Sequence, residues 1–130
     1  MATMEMTAEN FEDLVDNNAM VLIDFWADWC GPCKQFAPVF EASSEEHPDI
    51  VFAMVDTESQ QQLSAAFEIT SIPTLMVIRE KVALYAQPGA LPPAALEQVI
   101  EQAQAVDMDD VRAQINAAQN GQTGEAPEEA

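Results

Sequence analysis

The sequence predicts an α/β domain, with a central mixed β-sheet flanked by helices on both faces. Three observations carry that expectation. Near-continuous apolar runs alternate with stretches whose apolar residues recur at i, i+3 and i+4. The run Met20–Trp26 is apolar at every position except Asp24, as expected of a strand covered by helices on both sides. The last two strand-like runs, Thr74–Ile78 and Val82–Tyr85, are joined by a tight turn at Arg79-Glu80-Lys81. Alternation early and a hairpin late together predict a mixed sheet.

Each element has a local signal. A weak opening strand precedes Thr7, which is placed to cap a helix carrying Phe11, Leu14 and Val15 on one face. After the Met20–Trp26 strand, Cys33, Phe36, Ala37 and Phe40 mark a helix, and Pro38 inside it predicts a kink. Ile50 to Val55 is a second buried strand. Leu63, Ala66 and Phe67 mark a short helix. Leu96, Val99, Ile100 and Ala103 mark another, entered through Pro92-Pro93, where proline is tolerated in the first turn. Val111, Ile115 and Ala118 line a small helical face. The domain is expected over residues 1–106, a short helical extension over 107–119, and a disordered acidic tail over 120–130, where no bulky apolar residue occurs.

The bulk properties narrow the function. The chain has 130 residues, of which 48% are hydrophobic, enough for one packed core. The formal net charge is −19, which disfavours nucleic acid and anionic membranes as partners. No apolar run approaches the roughly 18–20 residues of a membrane span. The N-terminal residues lack a basic segment followed by an apolar one, so a cytoplasmic location is expected.

Only two cysteines are present, Cys30 and Cys33. A disulfide closing so short a loop removes little chain entropy, so a structural staple is a poor explanation. Redox chemistry or half of a metal site remain. The only histidine, His47, lies in an acidic Glu45-Glu46-His47-Pro48 turn and is expected to be a solvated loop residue, so no metal site is predicted.

Cys30 follows a buried strand and opens a helix. Unpaired backbone N–H groups and the helix dipole favour an anion there. The thiolate is the nucleophile in disulfide exchange. A free thiol with a pKa of about 8.5 is only about 3% ionised at pH 7, so stabilising the anion enlarges the reactive fraction. Cys33, one turn inward, is expected to be less exposed. Asp24 interrupts an apolar strand. A carboxyl buried there is expected to have a raised pKa, available for proton transfer near neutral pH.

Ile23-Asp24-Phe25-Trp26-Ala27-Asp28-Trp29-Cys30-Gly31-Pro32-Cys33-Lys34, the proline at Pro38 and the distant Ser71-Ile72-Pro73-Thr74 together resemble the thioredoxin family, over roughly Thr3 to Val106. Pro88-Gly89-Ala90-Leu91-Pro92 and the Met108–Ile115 extension resemble an actinobacterial subgroup of it. The resemblance implies the thioredoxin fold and a protein disulfide reductase serving cell redox homeostasis. It assigns Cys30 as nucleophile, Cys33 as resolving cysteine and Asp24 as proton-transfer group behind it. It implies a cis Ile72–Pro73 bond and a substrate platform of Trp29, Gly31, Pro32, Ile72, Pro73, Gly89 and Ala90, with Trp26 packed beneath. It further implies no bound cofactor, a redox-active Cys30–Cys33 disulfide, electrons from NADPH through a thioredoxin reductase, disulfide-containing protein substrates and a monomeric state. Two departures from the family pattern stand out. Phe52 occupies the position where many members carry a lysine near the buried acid, so Asp24 is expected to be shifted upward at least as strongly. The hairpin turn lacks the family's Asn-Gly pair, from which only a local change is expected. A different class, a thioredoxin-fold interaction module or co-chaperone with a secondary redox role, is favoured only by the acidic tail. An oxidase or isomerase is disfavoured by the Gly-Pro pair and the missing signal segment.

Overall fold

In the computed structural model the backbone is described for residues 2–125 and the side chains for residues 2–119. Five strands, β1 (Thr3–Glu5), β2 (Met20–Trp26), β3 (Val51–Asp56), β4 (Thr74–Arg79) and β5 (Val82–Pro88), alternate with α1 (Phe11–Asp16), α2 (Gly31–Glu46), α3 (Gln61–Ala66), α4 (Pro93–Ala105) and α5 (Met108–Glu125). The sheet order is β1-β3-β2-β4-β5. β3 runs parallel to β1 and β2, β4 runs antiparallel to β2, and β5 antiparallel to β4. The sheet is therefore mixed, as the sequence predicts.

Strand alternation splits the core into two layers. Met20 and Leu22 of β2 join Phe52, Leu75 and Val77 beneath Phe36 and Phe40 of α2 and Leu96 and Ile100 of α4. Val21, Ile23 and Phe25 point to the other face, where Val15 of α1 and Leu63 of α3 pack. A strand feeding both layers has no polar face, which explains the apolar run of β2. Asp24 falls in phase with Met20 and Leu22, on the α2 side of the sheet.

Several expectations are corrected in detail. Thr7 does not cap α1; the cap position is Asn10. Thr7 and Asn10 instead close a local turn, with the Thr7 N–H donating to Asn10 Oδ1 at 2.8 Å and the Asn10 N–H to Thr7 Oγ1 at 3.3 Å. The hairpin turn has two residues, because Arg79 belongs to β4. Glu80 and Lys81 adopt φ of 50° and 72°, the left-handed pair that a tight two-residue hairpin needs. The Glu80 N–H is held by the Ala19 carbonyl at 2.8 Å.

Helix α5 corrects the expected boundary at 119. It continues to Glu125, so residues 120–125 are helical in backbone rather than a tail, while residues 126–130 lie outside the described residues. The Asp107 carboxylate accepts from the Asp110 N–H at 3.2 Å and starts the helix. Alanine and glutamine, both good helix formers, carry it onward. Met108 is buried and Arg112 pairs with Glu80 of the hairpin turn, so the first turn of α5 is fixed to the domain. Residues 112–119 are exposed.

His47 is not a freely solvated loop residue. It caps the C-terminus of α2, its ring stacks on Phe52 at 6.3 Å, and its Nε2 lies 2.8 Å from Glu97 Oε1. A polar aromatic ring at a helix end finds apolar cover on one side and a carboxylate on the other.

Candidate active site

Cys30 is the N-cap of α2, and Pro32 occupies the first turn, where its missing N–H costs no hydrogen bond. The two cysteines are joined as a disulfide with Cα atoms 5.2 Å apart. The Cys33 N–H donates to Cys30 Sγ at 3.2 Å. One of the first free N–H groups of the helix thus faces Cys30 Sγ, an arrangement that favours negative charge on that sulfur. Both residues are nearly covered, Cys30 at 4% exposure and Cys33 at 2%. Exposure alone hardly separates them; position at the helix start does.

Ile72–Pro73 is cis, and the Ile72 carbonyl oxygen lies 3.7 Å from Cys30 Sγ. The Pro73 carbonyl accepts the Gly89 N–H at 2.8 Å, which ties the β5–α4 loop to the same edge. Gly89 has φ +116°, a conformation that side-chain-bearing residues rarely adopt. Gly89 and Ala90 are both exposed. Gly31 faces open space: a methyl group placed on its Cα would meet nothing within 4 Å. Its bare backbone leaves room for an approaching chain.

Trp29 is 70% exposed. Its indole N–H donates to Glu58 Oε2 at 3.2 Å. Trp29 and Ile72 line a shallow groove of about 170 Å³ with Thr57, Ile69, Thr70 and Ser71. Sequence reasoning missed Glu58, Thr57, Ile69 and Thr70; no local motif marks them, since they come near Trp29 only through the fold.

Asp24 is fully buried, and neither carboxyl oxygen has a hydrogen-bond partner. Burial pushes its pKa from 3.8 up to about 7, in the direction expected from its place in an apolar strand. Its register partner on β3 is Met54, whereas Phe52 pairs with Leu22. Met54 and Cys33 both line a cavity of about 290 Å³, together with Trp26, Lys34 and Glu41. Trp26 is half-buried, and its carbonyl accepts from the N–H and hydroxyl of Thr57 at 2.9 and 3.1 Å.

The chemistry that this arrangement can perform is thiol–disulfide exchange at a helix N-terminus, beside a neutralisable buried acid. Comparison with known proteins agrees. The Thioredoxin family model matches residues 2–102. A Streptomyces coelicolor protein provisionally named thioredoxin 2 is 59% identical over 123 residues, covering 95% of this chain and 91% of that one. Thioredoxin of Mycoplasma pneumoniae is 34% identical, covering 78% of this chain and 100% of its own. Among solved structures, a mutant thioredoxin from Halobacterium salinarum superposes with a TM-score of 0.74 at 30% identity, covering 81% and 92% of the two chains. The Plasmodium falciparum thioredoxin superposes with a TM-score of 0.71 at 33% identity, covering 77% and 97%. The chain belongs to the thioredoxin family and is a thioredoxin-type disulfide oxidoreductase.

Proposed function

We propose that the chain works in the reducing direction, cleaving disulfides in other proteins. The Cys30 thiolate attacks one sulfur of the substrate disulfide. A mixed disulfide forms, and the other substrate sulfur leaves as a thiolate. Cys33 then loses its proton and attacks Cys30 Sγ. The second substrate sulfur is released, and the Cys30–Cys33 disulfide remains. Two electrons have passed to the substrate. The observation that carries this reading is the Cys33 N–H aimed at Cys30 Sγ at 3.2 Å, which favours charge on Cys30 and not on Cys33.

Asp24 is the acceptor for the Cys33 proton, relayed by water through the cavity that Cys33 and Met54 line. A carboxyl with a pKa of about 7 can take that proton and return it near neutral pH. Trp29, Gly31, Pro32, Ile72, Pro73, Gly89 and Ala90 form the platform on which an extended substrate segment lies. The supporting geometry is the Ile72 carbonyl 3.7 Å from Cys30 Sγ, the groove that Trp29 and Ile72 share, and the Gly89–Pro73 hydrogen bond.

No bound cofactor is needed for this cycle. A thioredoxin reductase drawing on NADPH regenerates the dithiol. The chain acts as a monomer in the cytoplasm, where a reducing thiol pool keeps such a dithiol charged. Insulin reduction coupled to NADPH oxidation through a thioredoxin reductase tests the proposal. NADPH consumption that depends on the chain, and is abolished in Cys30→Ser and Cys33→Ser, supports it. No turnover with any reductase contradicts it.

A further inference from the structure

We propose that Glu46, His47 and Glu97 form a binding site for a divalent transition-metal cation of the zinc type, separate from the redox centre. His47 Nε2 and one oxygen of each carboxylate lie within 4.8 Å of one another. Imidazole nitrogen with two carboxylates is a ligand set that such cations favour, at about 2.0–2.2 Å from each atom. His47 Nε2 and Glu97 Oε1 are 2.8 Å apart, close to the spacing of adjacent ligands on one cation. Glu46, exposed at the end of α2, offers the third ligand atom, within 4.8 Å of the other two.

Two further features point to a cation here. The first is orientation of the ligands. Ser43 Oγ donates to Glu97 Oε2 at 2.7 Å, which holds the carboxylate with Oε1 turned toward His47. Phe52 stacks on the imidazole and fixes its plane. Second-sphere contacts of this sort set the geometry of metal ligands.

The second is charge. The cluster sits at the C-terminal, negative end of the α2 dipole, whose last turn carries no basic residue. The chain has four lysines and arginines in all, and each is placed elsewhere. Lys34 is in the first turn of α2. Arg79 donates to the carbonyls that end α4. Lys81 faces Asp16 at 3.9 Å, and Arg112 pairs with Glu80 and Asp109. Glu46 at the C-terminus of α2 and Glu97 of α4 therefore share a single weak base. An exogenous dication supplies the missing positive charge.

The site lies beside a groove of about 330 Å³ between α2 and α4, lined by Glu46, Glu97, Ser43 and the apolar Val39, Ala42 and Leu96. With three protein ligands, a coordination position stays open toward that groove. Cys30 and Cys33 are at the other end of α2, a helix of 16 residues, roughly 20 Å away. Metal here ties α2 to α4 without touching the sulfur chemistry.

The test uses the full-length chain with the Cys30–Cys33 disulfide formed, so that thiolates cannot bind metal. Zinc chloride is titrated by calorimetry, and the His47 ring signals are followed by NMR in the same chain. One equivalent bound, with the His47 ring signals selectively shifted, is expected. Affinity falls at least 10-fold in His47→Gln and in Glu97→Gln and is unchanged in Asp13→Asn. Unshifted His47 signals in the native chain overturn the proposal, and that readout does not depend on any variant folding. Several weak equivalents insensitive to His47→Gln, the signature of diffuse binding to an acidic surface, also overturn it.

Discussion

Asp24 stands opposite Met54 across the β2–β3 pair, while Phe52 stands opposite Leu22. Phe52 packs against Phe40 at 5.1 Å between centroids and belongs to the α2-side core, so the β3 position facing the acid is the uncharged Met54. The acid therefore gains no cation from β3. With both oxygens unpartnered, desolvation alone sets its pKa, and the direction is upward.

That shift has a consequence for stability. The folded-state pKa of about 7 exceeds the ordinary value of 3.8, so the native state holds a proton that the unfolded chain gives up. The favourable contribution is full below pH 4 and is lost as pH rises through 7. A shift of about 3 units corresponds to about 4 kcal/mol over the whole range, at 1.36 kcal/mol per unit. Between pH 5 and pH 8 the native chain is expected to lose about 3 kcal/mol relative to Asp24→Asn, which carries no titrating group there. Urea denaturation of both proteins at the two pH values checks this. Parallel stability profiles contradict it.

The proposed proton transfer depends on the same group. Asp24→Asn is expected to slow insulin reduction roughly 100-fold near pH 7, the lower end for a lost acid–base group. The deficit shrinks as pH rises and hydroxide removes the Cys33 proton directly. A pH profile of turnover for the two proteins measures it.

Trp29 is exposed and makes one polar contact, to Glu58. Its removal should therefore leave stability within about 0.5 kcal/mol. Substrate affinity is another matter, because large exposed aromatics dominate recognition surfaces. Trp29→Ala is expected to raise KM for a protein disulfide about 10-fold, equivalent to about 1.4 kcal/mol. Reduction of oxidised glutathione, which covers little of the platform, should hardly change. Steady-state kinetics with both substrates separates recognition from chemistry.

Arg79 closes the far end of the domain. Its Nη1 donates to the carbonyls of Ala103, Gln104 and Val106 at 2.8, 3.0 and 2.7 Å. It supplies from β4 the cation that the last turn of α4 lacks. Arg79→Met removes these charge-assisted bonds and leaves the carbonyls partly covered. A loss of about 2–3 kcal/mol is expected by urea denaturation, with the insulin-reduction rate at 25 °C preserved.

Most of the fold was legible because the two core layers each write a periodicity into the chain. The apolar run at Met20–Trp26 marked β2 to the residue, and the spacing of Phe36 and Phe40 marked α2. The cysteine motif, the interrupting Asp24 and the Ile-Pro-Thr stretch identified the elements that meet at the site. Contacts between residues distant in sequence were not legible. Glu58 reaches Trp29 across 29 positions and Glu97 reaches His47 across 50, and no local pattern encodes either. The Glu80-Lys81 turn lacks the glycine that announces left-handed backbone; its conformation is imposed by the β4–β5 pairing. Helix α5 ran past its expected end because composition alone separates a solvated helix poorly from an unstructured polar segment.

Trapping the exchange intermediate tests the division of labour between Cys30 and Cys33 most directly. A Cys33→Ser variant, reduced and mixed with a disulfide-containing protein, should accumulate a mixed disulfide that peptide mass spectrometry locates on Cys30. The Cys30→Ser variant should form far less adduct under the same conditions. Equal adduct yields on Cys33 in that second variant, or no adduct on Cys30 in the first, contradict a Cys30 nucleophile resolved by Cys33.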